Sequence, residues 1–293
     1  MPLALERKSP CKVNLLLNIL GKRADGFHEL ETLMHPVGLC DHLHFEREGI
    51  SVQLTCDEPE LPTGAENLVH RAASRFLKTA GIREGVRIHL VKRIPMAAGL
   101  GGGSGNAAVT LLGLNELFGT PLTLDQLQIV AAALGSDVPF FLQEKPALAT
   151  GRGENIVPLA FFSALRGAAF LLIHPGFGIP TAWAYQQLAR FPEALNGRPG
   201  RAGRLAELLR TGDLSQASGE FYNSLEAPAL HKFPLLAMFQ AFLRANGAAA
   251  TLMSGSGSTT FAIAPSESAA LELEVNVRAK FGPCWTAVVP ISE

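Results

Sequence analysis

The stretch Pro95-Met-Ala-Ala-Gly-Leu-Gly-Gly-Gly-Ser-Gly105 follows an alternating strand pattern, Val86 to Val91, and precedes an apolar run, Ala107 to Phe118, that reads as a buried helix. Glycine lets backbone amides turn toward one point, and a helix N-terminus adds unpaired N–H groups and a positive dipole end. The segment therefore suits a di- or triphosphate. Close backbone packing or a flexible loop is the competing reading of a glycine cluster, and the strand before it and helix after it count against that. Walker A is excluded because Ser104 is followed by Gly105 and Asn106 rather than by lysine and a hydroxyl residue. The dinucleotide fingerprint fails too, since the sixth residue from Gly99 is Ser104 and no acidic residue ends a second strand at the required distance.

Outward from this segment, strands and helices mix without the regular alternation of a doubly wound parallel sheet, so the class is α+β. Cys11 to Leu20 reads as a buried strand and Ser51 to Cys56 as a half-buried one. Leu68, Val69, Ala72, Ala73, Phe76 and Leu77 give the helix Glu66 to Ala80, stopped by Gly81. Thr123 is the expected N-cap of a helix that runs to Leu134. Further strands are expected at Pro146–Thr150, Ala168–His174, Ala249–Met253, Thr259–Ala264 and Trp285–Val289. Helices are expected at Thr181–Phe191, Leu205–Arg210, Leu235–Asn246 and Glu267–Phe281. Between them, Pro192 to Gly203 loses hydrophobic periodicity and reads as a mobile loop. Two domains, 1–155 and 156–293, are expected.

The chain has 293 residues, of which 47% are hydrophobic and 17% charged, and its formal net charge is −1. Without a basic face or stripe, a nucleic-acid partner is not expected. No leader-like apolar segment follows Met1 to Pro10 and no run approaches the length of a membrane span, so a cytoplasmic protein without a membrane partner is expected. Cys11, Cys40, Cys56 and Cys284 are scattered and read as buried thiols. His42 and His44 alternate as on one strand face without a third ligand at a metal-binding spacing, so no protein-held metal is expected.

Two charged residues sit where charge is unusual. Lys12 interrupts an apolar strand and needs a partner or a cleft. Asp137 lies between the Gly135-Ser136 helix stop and Val138-Pro139, at a rigid corner, where capping or a turn is the competing reading. A second small-residue cluster, Ser254-Gly-Ser-Gly-Ser258, reads equally as an anion-binding nest or as a hairpin turn.

Together, Ser9-Pro-Cys-Lys-Val-Asn14, Gly21-Lys-Arg-Ala-Asp-Gly-Phe-His-Glu-Leu-Glu-Thr32, Pro95 to Ala108, Leu134-Gly-Ser-Asp-Val-Pro139 and Met253 to Ser258 closely resemble the 4-diphosphocytidyl-2-C-methyl-D-erythritol kinases of the GHMP kinase superfamily. The resemblance runs from about residue 9 to residue 262. The glycine-rich segment alone indicates only the superfamily; the Arg23-to-His28 and Leu134-to-Pro139 segments point to this member.

The resemblance implies a two-domain GHMP kinase fold with its active site in the inter-domain cleft. It also implies ATP-dependent phosphorylation of the 2-hydroxyl of 4-(cytidine 5′-diphospho)-2-C-methyl-D-erythritol, a step of non-mevalonate isoprenoid precursor synthesis, with Mg²⁺ bridging phosphate oxygens. Position by position it makes Asp137 the catalytic base and Lys12 the catalytic lysine. Pro95, Met96, Ala97, Ala98, Gly99, Leu100, Gly101, Gly102, Gly103, Ser104 and Gly105 match the ATP-phosphate loop, and Asn67 and Lys92 match positions near the nucleotide. Phe27, His28 and Tyr185 match the cytosine site, and Asn14 and Thr181 match contacts to the diphosphate-erythritol portion. The partners implied are small molecules, with a monomer or homodimer as the assembly. The family usually carries serine where this chain has Gly105, which removes one hydroxyl expected near the phosphates. A superfamily kinase acting on an alcohol without cytidine is the main rival, and a nucleotide-binding protein without transfer activity, suggested only by Gly105, is the other.

Overall fold

A computed structural model describes residues 3–195, 198–212 and 214–291. The chain divides into two compact units that share its two longest strands. Unit 1 comprises residues 1–11, 39–94 and 101–144, and unit 2 comprises 12–38, 95–100 and 145–293. The strands β1 (Ala4–Lys22) and β2 (His28–Arg47) contribute residues to both.

In unit 1, β3 (Val52–Cys56) pairs in parallel with β4 (Val86–Val91), which pairs antiparallel with the second half of β2, His42 opposite Val91. Between them, helix α1 (Leu68–Ala80) buries Val69, Ala72, Ala73, Phe76 and Leu77. That apolar face is the helical periodicity of the sequence made physical. Helix α2 (Gly102–Leu117) is buried on nearly every side, and α3 (Leu124–Ala132) begins with a capping box between Thr123 and Gln126. A short 3₁₀ turn at Pro139–Leu142 buries Phe140 and Phe141.

In unit 2, β5 (Ala147–Gly151) pairs antiparallel with the first half of β2 and with β6 (Asn155–Pro158). An antiparallel four-stranded sheet then forms from β7 (Ala169–His174), with α4 (Thr181–Gln187), α5 (Arg201–Thr211) and α6 (Leu214–Ala217) following it in the chain. After β8 (Tyr222–Asn223), parallel to β1, come α7 (Glu226–Lys232), α8 (Pro234–Ala245), β9 (Ala250–Met253), β10 (Thr260–Ala264), α9 (Glu267–Phe281) and β11 (Trp285–Pro290). The sheet order is β11-β7-β10-β9, and its apolar side shares one core with α8 and α9 through Leu171, Ile173, Phe239, Leu243, Leu273 and Val277. Most strand pairs are antiparallel, so the α+β reading holds.

The elements β6, β8, α6 and α7 were not expected, β1 begins at Ala4 rather than Cys11, and three further elements differ from the sequence expectation in ways that bear on the site. Helix α2 starts at Gly102 rather than Ala107, because burial of the following turns outweighs the roughly 1 kcal/mol that each glycine costs inside a helix. The 20-residue β2 escaped notice except around His42 and His44, since its first half is buried on both faces and carries Glu31, Thr32 and His35 inside, while its second half alternates. The stretch 192–203 is more ordered than expected. A 3₁₀ turn occupies Pro192–Leu195 and α5 begins at Arg201, while residues 196 and 197 lie outside the described residues. The start of α5 is held by the buried Glu31, whose carboxylate accepts from the backbone N–H groups of Gly200 and Arg201, each at 2.8 Å, and from Asn18 Nδ2 at 2.9 Å. A negative group at a helix N-terminus is a favourable pairing with the dipole.

Candidate active site

Alternate residues of a strand share a face, so β1 presents Lys12 and Asn14 side by side. Lys12 is 2% exposed, and its Nζ donates to Asn14 Oδ1 at 2.5 Å and to the carbonyl of Gly99 at 3.0 Å. These bonds offset the cost of burying the ammonium. Asn14 Nδ2 donates to Thr32 Oγ1, which donates in turn to Leu16 O, so strands β1 and β2 fix the amide orientation. Lys12 is tied to the glycine-rich segment a second time, by its own N–H to Leu100 O at 2.9 Å.

The second small-residue cluster lies against the first half of the glycine-rich segment. Ser254 Oγ donates to Gly99 O at 2.9 Å, and Thr259 N donates to Ala98 O. A Cβ at Gly99 would sit 2.0 Å from Ser254 O, and Gly99 has φ +77°. Gly99 thus serves close backbone packing as well as the turn itself. Ala97 holds φ 50°, a conformation that side-chain-bearing residues rarely adopt. On the far side, Asn223 Nδ2 donates to both Met253 O and Gly255 O, which fixes the turn after β9.

In unit 1, α2 opens with Gly101 as its N-cap and has no acidic residue in its first turn. Its free N–H groups and dipole make this end suited to an anion. Lys92 Nζ lies 3.6 Å from where a Cβ on Gly102 would stand, placing an ammonium beside that end. Asp41, fully buried, organises the approach: it accepts from Lys92 Nζ, from Arg93 N and Ile94 N, and from Asn106 Nδ2. Neither Asp41 nor Asn106 stood out in the sequence, because the partners that give each its role lie 51 and 65 residues from Asp41 along the chain. Asn67 is the N-cap of α1, accepting from Val69 N at 2.8 Å and donating from Nδ2 to Pro62 O, so capping occupies its side chain. Gly103 faces Leu68, which brings the start of α1 beside that of α2.

Asp137 is half-buried at the turn joining α3 to the 3₁₀ turn, closed by Val138 N to Gly135 O and by Phe141 N to Val138 O. Phe141 stands 3.5 Å from a Cβ built on Gly105, so this corner rests on the first turns of α2. The same Cβ would meet Pro10 O at 2.7 Å and Ser9 Oγ at 3.1 Å. A side chain at 105 therefore points into β1, and the sequence-based picture of a missing phosphate-facing hydroxyl loses its geometric support.

The aromatic residues gather in unit 2. The rings of His28 and Tyr185 are 5.0 Å apart and tilted by 38°, while Phe27 is 52% exposed at the β1–β2 turn. Burial, reinforced by the charge of Lys22, holds the His28 imidazolium pKa below its usual value, favouring a neutral ring. Thr181 Oγ1 and Ser256 Oγ lie 3.0 Å apart, tying the first residue of α4 to the second cluster. Among the described residues no group of three or more His, Cys, Asp or Glu side chains could hold a metal ion, and no helix is long and apolar enough to cross a membrane.

Comparison with known proteins assigns this architecture. Residues 67–145 match the GHMP kinases N terminal domain and residues 193–283 the GHMP kinases C terminal domain, so the chain is a kinase of the GHMP class. It is 41% identical over 278 residues to the 4-diphosphocytidyl-2-C-methyl-D-erythritol kinase of Synechococcus sp. (strain JA-2-3B'a(2-13)), covering 92% of this chain and 88% of that one. It is 37% identical over 287 residues to the enzyme of the same name from Syntrophotalea carbinolica, covering 97% and 98%. A crystal structure of 4-(cytidine 5′-diphospho)-2C-methyl-D-erythritol kinase superposes with a TM-score of 0.79 at 37% identity, covering 98% of this chain and all of that one. Homoserine kinase from Cytophaga hutchinsonii shares the fold at a TM-score of 0.78 and 21% identity. The chain belongs to the 4-diphosphocytidyl-2-C-methyl-D-erythritol kinase family.

Proposed function

We propose that the protein transfers the γ-phosphoryl group of ATP to the 2-hydroxyl of 4-(cytidine 5′-diphospho)-2-C-methyl-D-erythritol, with Asp137 as general base and Lys12 as the assisting cation. The observation that supports this reading is Lys12 Nζ donating to the Gly99 carbonyl inside the glycine-rich segment, which would set a buried ammonium beside the ATP phosphates. An alcohol is a weak nucleophile, so a carboxylate that accepts its proton lowers the barrier, and a fixed positive charge stabilises negative charge on the transferring group. The end of α2 with Lys92 beside it would take the ATP phosphates, and Asn67 lies close to that end. Mg²⁺ suits the site because it binds through phosphate oxygens and water with few protein ligands; Ser104 is the candidate hydroxyl. The ion supplies charge neutralisation across the phosphates when bound.

For the acceptor, Phe27 and Tyr185 would hold the cytosine by stacking and the neutral ring of His28 by hydrogen bonding, while Asn14 and Thr181 would contact the diphosphate-erythritol portion. Incubation with Mg-ATP and the cytidyl substrate, followed by ³¹P NMR, should show ADP and a new phosphomonoester in equal amounts. ADP release that depends instead on homoserine or mevalonate would replace this reading with that of another GHMP kinase.

A further inference from the structure

Antiparallel pairing of β2 with β5 sets Leu30 opposite Gly151, and this register delivers the residue after Gly151 to the β1–β2 turn. That residue is Arg152. Its guanidinium carbon stands 4.7 Å from the ring centroid of Phe27. The side chain is held from behind as well, with Nε 3.5 Å from Glu154 Oε1, while its backbone N–H donates to Glu154 Oε2 at 2.6 Å. The hairpin between β5 and β6 thus aims a cation at one face of an aromatic ring that is otherwise half in solvent. Phe27 is fixed at its base too, its N–H donating to Asp25 Oδ1 at 3.1 Å.

We propose that Arg152 is a specificity-determining residue of the acceptor site: it backs one face of Phe27 and so leaves the opposite face ordered to receive a pyrimidine base. The inference rests on the reading of Phe27 as a base-stacking residue. An exposed phenylalanine samples several rotamers, and a base that stacks on it must select one. A planar cation over one face removes that freedom beforehand and adds attraction to the ring. Arginine suits this better than lysine, because a guanidinium can lie flat on an aromatic ring while its edge faces a carboxylate such as that of Glu154.

The test is steady-state kinetics on Arg152→Met, Arg152→Lys, Phe27→Ala and the double variant Phe27→Ala/Arg152→Met. Arg152→Met keeps the stem and removes the cation, and should raise KM for the cytidyl substrate roughly two- to fivefold with KM for ATP unchanged. Arg152→Lys should fall between, and in the Phe27→Ala background Arg152→Met should add nothing. A raised KM in Phe27→Ala with an unaltered one in Arg152→Met overturns the proposal and leaves the base-stacking reading intact. An equal effect of Arg152→Met with and without Phe27 also overturns it, since the guanidinium then acts on substrate charge. If Phe27→Ala leaves KM unchanged, the base-stacking reading fails and this proposal with it.

Discussion

Lys12 Nζ donates to the carbonyl oxygen of Gly99, 87 residues along the chain, at 3.0 Å. The contact joins the one buried charge of an apolar strand to the backbone that would face a triphosphate. Lys12→Met should therefore lower kcat by about 10²-fold or more, since a preorganised cation at developing charge is lost. Circular dichroism should show the fold retained, because methionine fills the same volume. A variant with kcat within a few-fold of the parent would remove Lys12 from the chemistry.

Asp137→Asn keeps shape and removes proton acceptance. Its kcat should fall roughly 10²- to 10⁴-fold, with calorimetric affinity for the cytidyl substrate little changed. Near-normal turnover would reduce Asp137 to a residue that shapes its corner.

Gly99→Ala should destabilise the protein by about 1–3 kcal/mol, because its Cβ would stand 2.0 Å from Ser254 O and the backbone is at positive φ. Thermal unfolding reads this as a drop of several degrees. An unchanged melting temperature would mean that the Gly99 and Ser254 segments separate at no cost.

Asp41→Ala strips the acceptor from Lys92 Nζ, Arg93 N, Ile94 N and Asn106 Nδ2, and should cost on the order of 3–5 kcal/mol. The Asp41→Ala/Lys92→Met double variant should recover part of that loss, since it no longer buries an unpaired ammonium. Strict additivity in denaturant melts would show that the two groups are not coupled.

Burial pushes the carboxyl of Glu226 up to about 7, although it accepts from Met253 N and Gln240 Nε2. The folded state then holds its proton longer than the unfolded chain, whose carboxyl titrates near 4.5. The contribution of Glu226 to stability is fully present below about pH 4.5 and is lost as pH rises through 7, by an amount on the order of 3 kcal/mol. Glu226→Gln keeps the same acceptor oxygen, so it should flatten this part of the stability–pH curve and be more stable than the parent at pH 8. A Glu226→Gln stability–pH curve parallel to that of the parent between pH 5 and 8 would show that Glu226 titrates normally.

Much of this was legible in the residues, and the failures share a cause. Helix α1 announces itself because one apolar face repeats at helical spacing between Asn67 and Gly81, a local signal. Lys12 was readable because a charge in an apolar strand is conspicuous. Asp41, Glu31 and Arg152 were not, since each gains its meaning from a partner distant in the chain and brought near by folding: Lys92 and Asn106 for the first, the start of α5 for the second, Phe27 for the third. The start of α2 was missed for a related reason: glycine disfavours helix locally and only burial overrides it.

The contact between Gly99 and Ser254 spans 155 residues of chain. During synthesis at about 5–20 residues per second, the Gly99 backbone would wait roughly 8–30 s for the segment that braces it to be made. A nascent chain halted late in that interval carries the glycine-rich segment braced by Lys12 alone, without the bonds from Ser254 and Thr259. Ribosome-bound intermediates of this protein should therefore expose the Ala98–Gly99 backbone to proteolysis until the Ser254 segment has emerged.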